Sequence, residues 1–248
     1  METPGEVVSV IGILLLSLSW HEAAHAWVAD RLGDPSARRL GRVTLNPIRH
    51  LDPFMSVLLP GLLIASGSPF IFGGGKPVPI NPSYFLRPRR DFMLVALAGP
   101  ISNLLLAALC CLAWVGLVYT EMIPPYEMVT AFGSRIVEAP SMMDGPRGLL
   151  ESGLVTAVVL NLLLAVFNLV PVPPLDGSRV VGWALPEELA QRWYGLDRAG
   201  IILVLVLFFA AEPLLGFNFL DVVFEGLEFL AGAYFQATEW LLGFKVYS

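Results

Sequence analysis

The chain has 248 residues, a formal net charge of −6 and a mean hydropathy of +0.70, with 56% hydrophobic and only 15% charged residues. An ordinary soluble domain carries roughly 25% charged residues, and a soluble core of this length would leave apolar surface with nothing to cover it. A soluble enzyme is therefore excluded, and the lack of a basic tract argues against a nucleic-acid partner. The composition reads as one membrane-embedded domain over 1–248, with the lipid bilayer as its surroundings. The length leaves no room for a large appended soluble domain.

The first helix is predicted from about Val7 to Leu32. Glu2 and Glu6 stand where a cleaved signal would carry positive charge, so the apolar stretch 7–19 is expected to be retained. Gly33 and Asp34-Pro35 end the helix, because proline cannot continue it and biases the residue before it away from helix. Residues 33–53 read as a polar, arginine-rich loop. Residues 54–72 are apolar but broken by Pro60, Gly61, Gly67 and Pro69; Gly73-Gly74-Gly75 and Lys76-Pro77-Val78-Pro79-Ile80-Asn81-Pro82 then read as turns and extended chain. A second helix is predicted over 92–119, an acidic loop over 120–151, and a third helix over 153–170, stopped by Pro171, Pro173 and Pro174. A fourth starts near Asp197. Residues 214–244 carry Asp221, Glu225 and Glu228 at helical spacing, so they cross the membrane or lie along it with those acids outward. The adjacent Cys110 and Cys111 are expected as small core or lipid-facing residues.

Basic residues orient these elements. Loop 31–53 has Arg31, Arg38, Arg39, Arg42 and Arg49; segment 76–91 has Lys76, Arg87, Arg89 and Arg90; segment 176–198 has Arg179, Arg192 and Arg198. Loop 120–152 has only Arg135 and Arg147 against five acids. The rule puts the first three in the cytoplasm and the last outside. Residues 54–75 then do not cross but dip in and return, with their backbone groups satisfied by protein or a water-filled cavity. The expected fold is an all-α polytopic membrane protein. It is a helical bundle of about four to six membrane segments, with a re-entrant extended or β element between the first two motif helices. Its core covers 7–182, followed by C-terminal helices over 197–248.

The sharpest motif is His21-Glu22-Ala23-Ala24-His25. Residues four apart lie about 6 Å apart along one helix face, which lets two imidazoles grip one zinc ion. Glu22 adjoins the first histidine and can reach a metal-bound water as general base. Ionisable groups within an apolar helix are costly and usually functional. A hydrolytic zinc site needs a third protein ligand. His50, the only other histidine, sits beside Arg49 and reads as a solvated loop residue. Asp176 is the better candidate: it ends a run that is uncharged from 152, after prolines that can turn it back toward the first helix. Standing alone it would read as a helix N-cap.

Together with Ala98-Gly99-Pro100-Ile101-Ser102-Asn103 and the run Asn168-Leu169-Val170-Pro171-Val172-Pro173-Pro174-Leu175-Asp176-Gly177, the motif resembles the site-2 protease family of intramembrane metalloproteases. Gly41-Arg42-Val43-Thr44-Leu45-Asn46-Pro47 and Lys76 to Pro82 are similar to its compact prokaryotic branch. The resemblance covers about 12–182, and no stretch is long enough for the PDZ domain that some members insert. It implies one zinc per chain held by His21, His25 and Asp176, with Glu22 as general base. It implies that Asn103 and Asn168 lie near the site, facing substrate or the metal shell; on their own they read only as intramembrane amides. It further implies a membrane-spanning protein as substrate, and a multi-pass protein of the cell membrane with its active site toward the cytoplasm. Substrate must unwind locally, and segment 54–80 offers an extended edge for it to pair with. A non-catalytic, zinc-binding membrane protein that binds clients would be signalled by loss of Glu22, which is present. A metal transporter would tend to show inverted repeats, and none is evident.

Overall fold

The computed structural model describes residues 4–52, 75–122, 146–209 and 218–243, with 58, 62, 212, 213 and 216. Its described residues are helical and include no strand beyond one isolated bridge. Helix α1 runs Pro4–Arg31, followed by the single turn α2, Ser36–Arg39. Helix α3 is Pro88–Tyr119 and α4 is Pro146–Leu169. Two short helices, α5 Gly177–Ala184 and α6 Glu187–Gly195, lead into α7 Gly200–Phe209 and the long α8 Phe219–Leu242.

Three helices are long and apolar enough to cross a membrane: Val8–Arg31, Pro88–Tyr119 and Gly148–Leu169. Their outward faces are apolar too. Val8, Leu16, Leu105 and Leu109 all lie more than half exposed, as lipid-facing positions do and soluble helices avoid. The chain is therefore an all-helical membrane protein. Helix α8 is as long, but Asp221, Glu225 and Glu228 line its exposed face while Val223, Leu227 and Ala231 are buried.

Local signals set the helix ends. α1 stops in a Schellman motif: Asp34 N–H donates to Ala29 O at 2.9 Å and Gly33 N–H to Asp30 O at 3.2 Å. Gly33 supplies the φ of +109° that this turn requires. α3 starts four residues before the predicted 92 because Pro88 presets the first turn and the Asp91 carboxylate accepts the Arg87 N–H at 2.9 Å.

α1, α3 and α4 pack against one another. α3 and α4 run antiparallel, with Asn103 meeting Asn161, and Trp114 and Val118 clustering with Leu154. Between them and α8 lies an apolar core of Ala107, Cys111, Val158, Leu162, Leu227 and Ala231. Cys111 thus sits in the core, and the neighbouring Cys110 packs against it half-buried.

Most of the expected re-entrant element, 54–75, lies outside the described residues, as does most of the acidic loop 120–151. The described chain just before the former meets its last residue and the residue that follows. Leu51 and Gly75 form an antiparallel bridge, and Lys76 N–H donates to His50 O at 2.7 Å. Arg42 fastens this neck by donating to the carbonyls of Arg49 and Lys76. Residues 76–81 belong to no helix or strand; Val78 packs against Ala26 of α1, and Asp34 accepts the Asn81 N–H at 2.6 Å. The loop 33–53 is accordingly less solvated than its charges suggested. His50 is buried, with Nε2 2.8 Å from Thr44 O, which corrects its reading as a solvated residue. The chain returning at 75–76 covers it.

Candidate metal centre

His21 and His25 stand one turn apart on the buried side of α1, their ring planes at 85°. Each ring is held from behind. His21 Nδ1 lies 2.6 Å from Asn103 Oδ1 on α3, and His25 Nδ1 lies 2.7 Å from the Val95 carbonyl. A carbonyl can only accept, so the His25 proton stands on Nδ1 and its Nε2 carries a lone pair. The two Nε2 atoms face each other at 3.0 Å.

Asp176 closes the set. Its Oδ2 lies 3.2 Å from His21 Nε2 and 3.3 Å from His25 Nε2. It occupies the N-cap position of α5 without any side-chain capping bond, so its carboxylate is turned to the histidines and does not serve the helix. Its Oδ2 is buried with no hydrogen-bond partner among the described residues. Electron-rich atoms converging in a buried site need a cation between them. Ligands about 2.0–2.1 Å from a tetrahedral zinc ion would stand about 3.3 Å apart, which these spacings fit. Among the described residues, no other group of three histidines, cysteines or acids could hold a metal.

Two glycines make the approach possible. A Cβ on Gly99 would lie 2.4 Å from His25 Nε2 and 2.5 Å from His21 Cε1. A Cβ on Gly177 would lie 2.1 Å from Leu169 O, so the turn that swings Asp176 back under the end of α4 accepts no side chain there.

Glu22 is half-buried beside His21 and makes no hydrogen bond or ion pair among the described residues. Its charge is felt at Arg42: burial pulls the Arg42 guanidinium down, and the Glu22 charge opposes that shift. Asn103 is fully buried, with its carboxamide shared between His21 and α4. Asn168 is half-buried and donates to Leu164 O of its own helix at 2.9 Å. Sequence reasoning missed Asn161 and Ser17, both buried. Asn161 donates to Ser17 Oγ at 2.8 Å and accepts from Asn103 Nδ2 at 2.7 Å. Their one signal was an amide and a hydroxyl within apolar helices.

Comparisons with known proteins give the family of the chain. The family described as Peptidase family M50 matches residues 9–211. The chain is 37% identical over 197 residues to "Putative zinc metalloprotease YwhC" of Bacillus subtilis, covering 79% of this chain and 77% of that protein. It is 32% identical over 220 residues to "Putative zinc metalloprotease Rip2" of Mycobacterium tuberculosis, covering 89% and 73%. The Rip2 of Mycolicibacterium smegmatis is also 32% identical, over 225 residues, covering 91% and 75%. No solved structure matches the chain.

Proposed function

The chain belongs to peptidase family M50, the site-2 protease family of zinc metalloproteases, and from that premise we propose that it cuts membrane-spanning proteins within or beside the bilayer, using one zinc ion and Glu22 as general base. The observation that carries this reading is the convergence of His21 Nε2, His25 Nε2 and Asp176 Oδ2 within a helix long and apolar enough to span. A protease site built into a span meets substrates that are themselves in the membrane.

The fitted residues divide the work. His21, His25 and Asp176 hold the ion; when bound, zinc supplies a water of lowered pKa and positive charge for the scissile carbonyl. Asp176 brings one negative charge, which partly neutralises the cation in a site of low dielectric. Glu22, free of competing bonds, takes the proton from the attacking water and returns it to the leaving nitrogen. Asn103 and Asn168 belong to the surroundings of the site, the first behind His21 and the second near the turn that carries Asp176. The whole of 1–248 acts as one protease domain.

Substrate presents itself as an unwound strand. Residues 76–81 belong to no helix or strand, Asn81 has extended dihedrals, and Pro77 and Pro79 lack N–H groups. In extended chain the N–H groups of Val78 and Ile80 then share one edge. Among the described residues, they make no backbone hydrogen bond. Replacing Val78 and Ile80 with proline should lower cleavage with zinc still bound; unchanged cleavage would sink the strand reading. The surplus of arginine and lysine around 31–53, 76–91 and 176–198 supports a multi-pass protein of the cell membrane with its site toward the cytoplasm.

The deciding experiment compares wild type with Glu22→Gln in detergent, measuring zinc content and cleavage of a panel of single-span segments. Expected are about one zinc per chain in both and a rate about 10²–10⁴-fold lower in Glu22→Gln. Equal cleavage would remove Glu22 from the mechanism, and a chain without zinc would remove the site.

A further inference from the structure

His21 can ligate through Nε2 only if its proton stands on Nδ1. For His25 the Val95 carbonyl guarantees this, because it cannot donate. For His21 the partner is a carboxamide, which offers oxygen or NH2 to the same place with almost the same shape. Were Asn103 turned over, its NH2 would face Nδ1, and Nε2 would take the proton. The ring would then present a donor to the site, and ligation would be lost.

What holds Asn103 is on its far side. Its Nδ2 lies 2.7 Å from Asn161 Oδ1 and 3.4 Å from the Ser17 carbonyl, both acceptors. Asn161 is itself oriented, since its Nδ2 donates to Ser17 Oγ at 2.8 Å and to Ala157 O at 2.8 Å. Asn103 and Asn161 are 0% exposed, Ser17 2% and His21 3%. A turned Asn103 amide there has no solvent to satisfy it and sets its oxygen against two acceptors, Asn161 Oδ1 and the Ser17 carbonyl, so the turned form is disfavoured. The Ala157 carbonyl, which can only accept, thus fixes Asn161, Asn161 fixes Asn103, and Asn103 fixes His21.

We propose that Asn161 is a positioning residue that fixes, through Asn103, the Nδ1-protonated form of His21 and so keeps His21 Nε2 available to the metal. This rests on the reading of His21 as a zinc ligand. Asn161 has a second connection to the site. It lies on α4, the helix whose end turns into Asp176, so one carboxamide ties the segment bearing the third ligand to the ring of the first.

The chain has three histidines, which makes the imidazole nitrogens of the full-length protein tractable by 15N NMR in micelles. Spectra of metal-free wild type, Asn161→Leu and Asn161→Asp would report the His21 tautomer, and competition with a chelator would report zinc affinity. Leucine keeps the bulk and removes the acceptor; aspartate keeps an acceptor for Asn103 Nδ2. Asn161→Leu is expected to shift His21 toward the Nε2-protonated form and to weaken zinc by about 10–100-fold. Asn161→Asp should retain the Nδ1-protonated form and most of the affinity. A merely structural amide would lower thermal stability and leave the tautomer unmoved. Should Asn161→Leu fail to fold, Asn161→Ser, whose hydroxyl is too short to reach Asn103, takes its place with the same expectation. An unmoved tautomer with unchanged zinc affinity in the folded variant overturns the proposal. A wild type whose His21 resonances ignore added zinc overturns the metal-site reading and this proposal with it.

Discussion

The contact between α3 and α4 has two interiors. Around Asn103 and Asn161 it is polar and joined to α1; around Ala107, Cys111, Val158 and Leu162 it is apolar and joined to α8. The apolar stretch is satisfied by volume, so swaps that keep volume are tolerated there. The polar stretch is satisfied only in one register, since a slipped amide loses its partner in surroundings that offer no substitute. In a membrane, where lipid is as apolar as leucine, the second kind of contact is what distinguishes one arrangement of helices from its neighbours.

Three substitutions test that contrast, in order of expected size. Gly99→Ala places a Cβ on the ligating ring atoms; zinc content of the purified protein should fall to background and cleavage with it, while helicity measured by circular dichroism stays unchanged. Full zinc content would show that the rings can retreat. Leu162→Ala, in the apolar stretch, should cost about 2 kcal/mol on unfolding in mixed micelles. That is the low end of the soluble range, because lipid and core differ little in polarity. Zinc content and the cleavage rate of the folded fraction should hold. A loss of zinc there would show that the two interiors are not separable. Tyr234→Phe removes one bond from α8 to the Leu104 carbonyl, 2.7 Å long; about 0.5–1 kcal/mol is expected, with no change in cleavage.

The three proposed ligands were named from the sequence by different signals. The four-residue spacing of His21 and His25 puts both on one face, whereas Asp176 was only a candidate after a run of prolines, and the family resemblance supplied its role. The bundle was legible from its uncharged runs. The short helices α5 and α6 went unassigned, though Pro186 followed by Glu187 and Glu188 is a helix-start signal. His50 was read as solvated, and the role of Arg42 went unseen, because their contacts with residues 75–76 come from too far along the chain for local patterning to foretell. Asn161 escaped for a different reason. An amide in an apolar helix declares that it has a partner but not which one, and its role appears only once Ser17 and Asn103 are seen on either side of it.

The separation of the ligands along the chain has a consequence for biosynthesis. His21 and His25 enter the membrane with the first span, whereas Asp176 follows the third, with more than half of the chain between them. At roughly 5–20 residues per second, translation takes on the order of ten seconds to cover that interval. With the proposed ligand set, the nascent chain throughout that interval carries two ligands without the third. Cutting power would then arrive only when the segment that completes the bundle has been made.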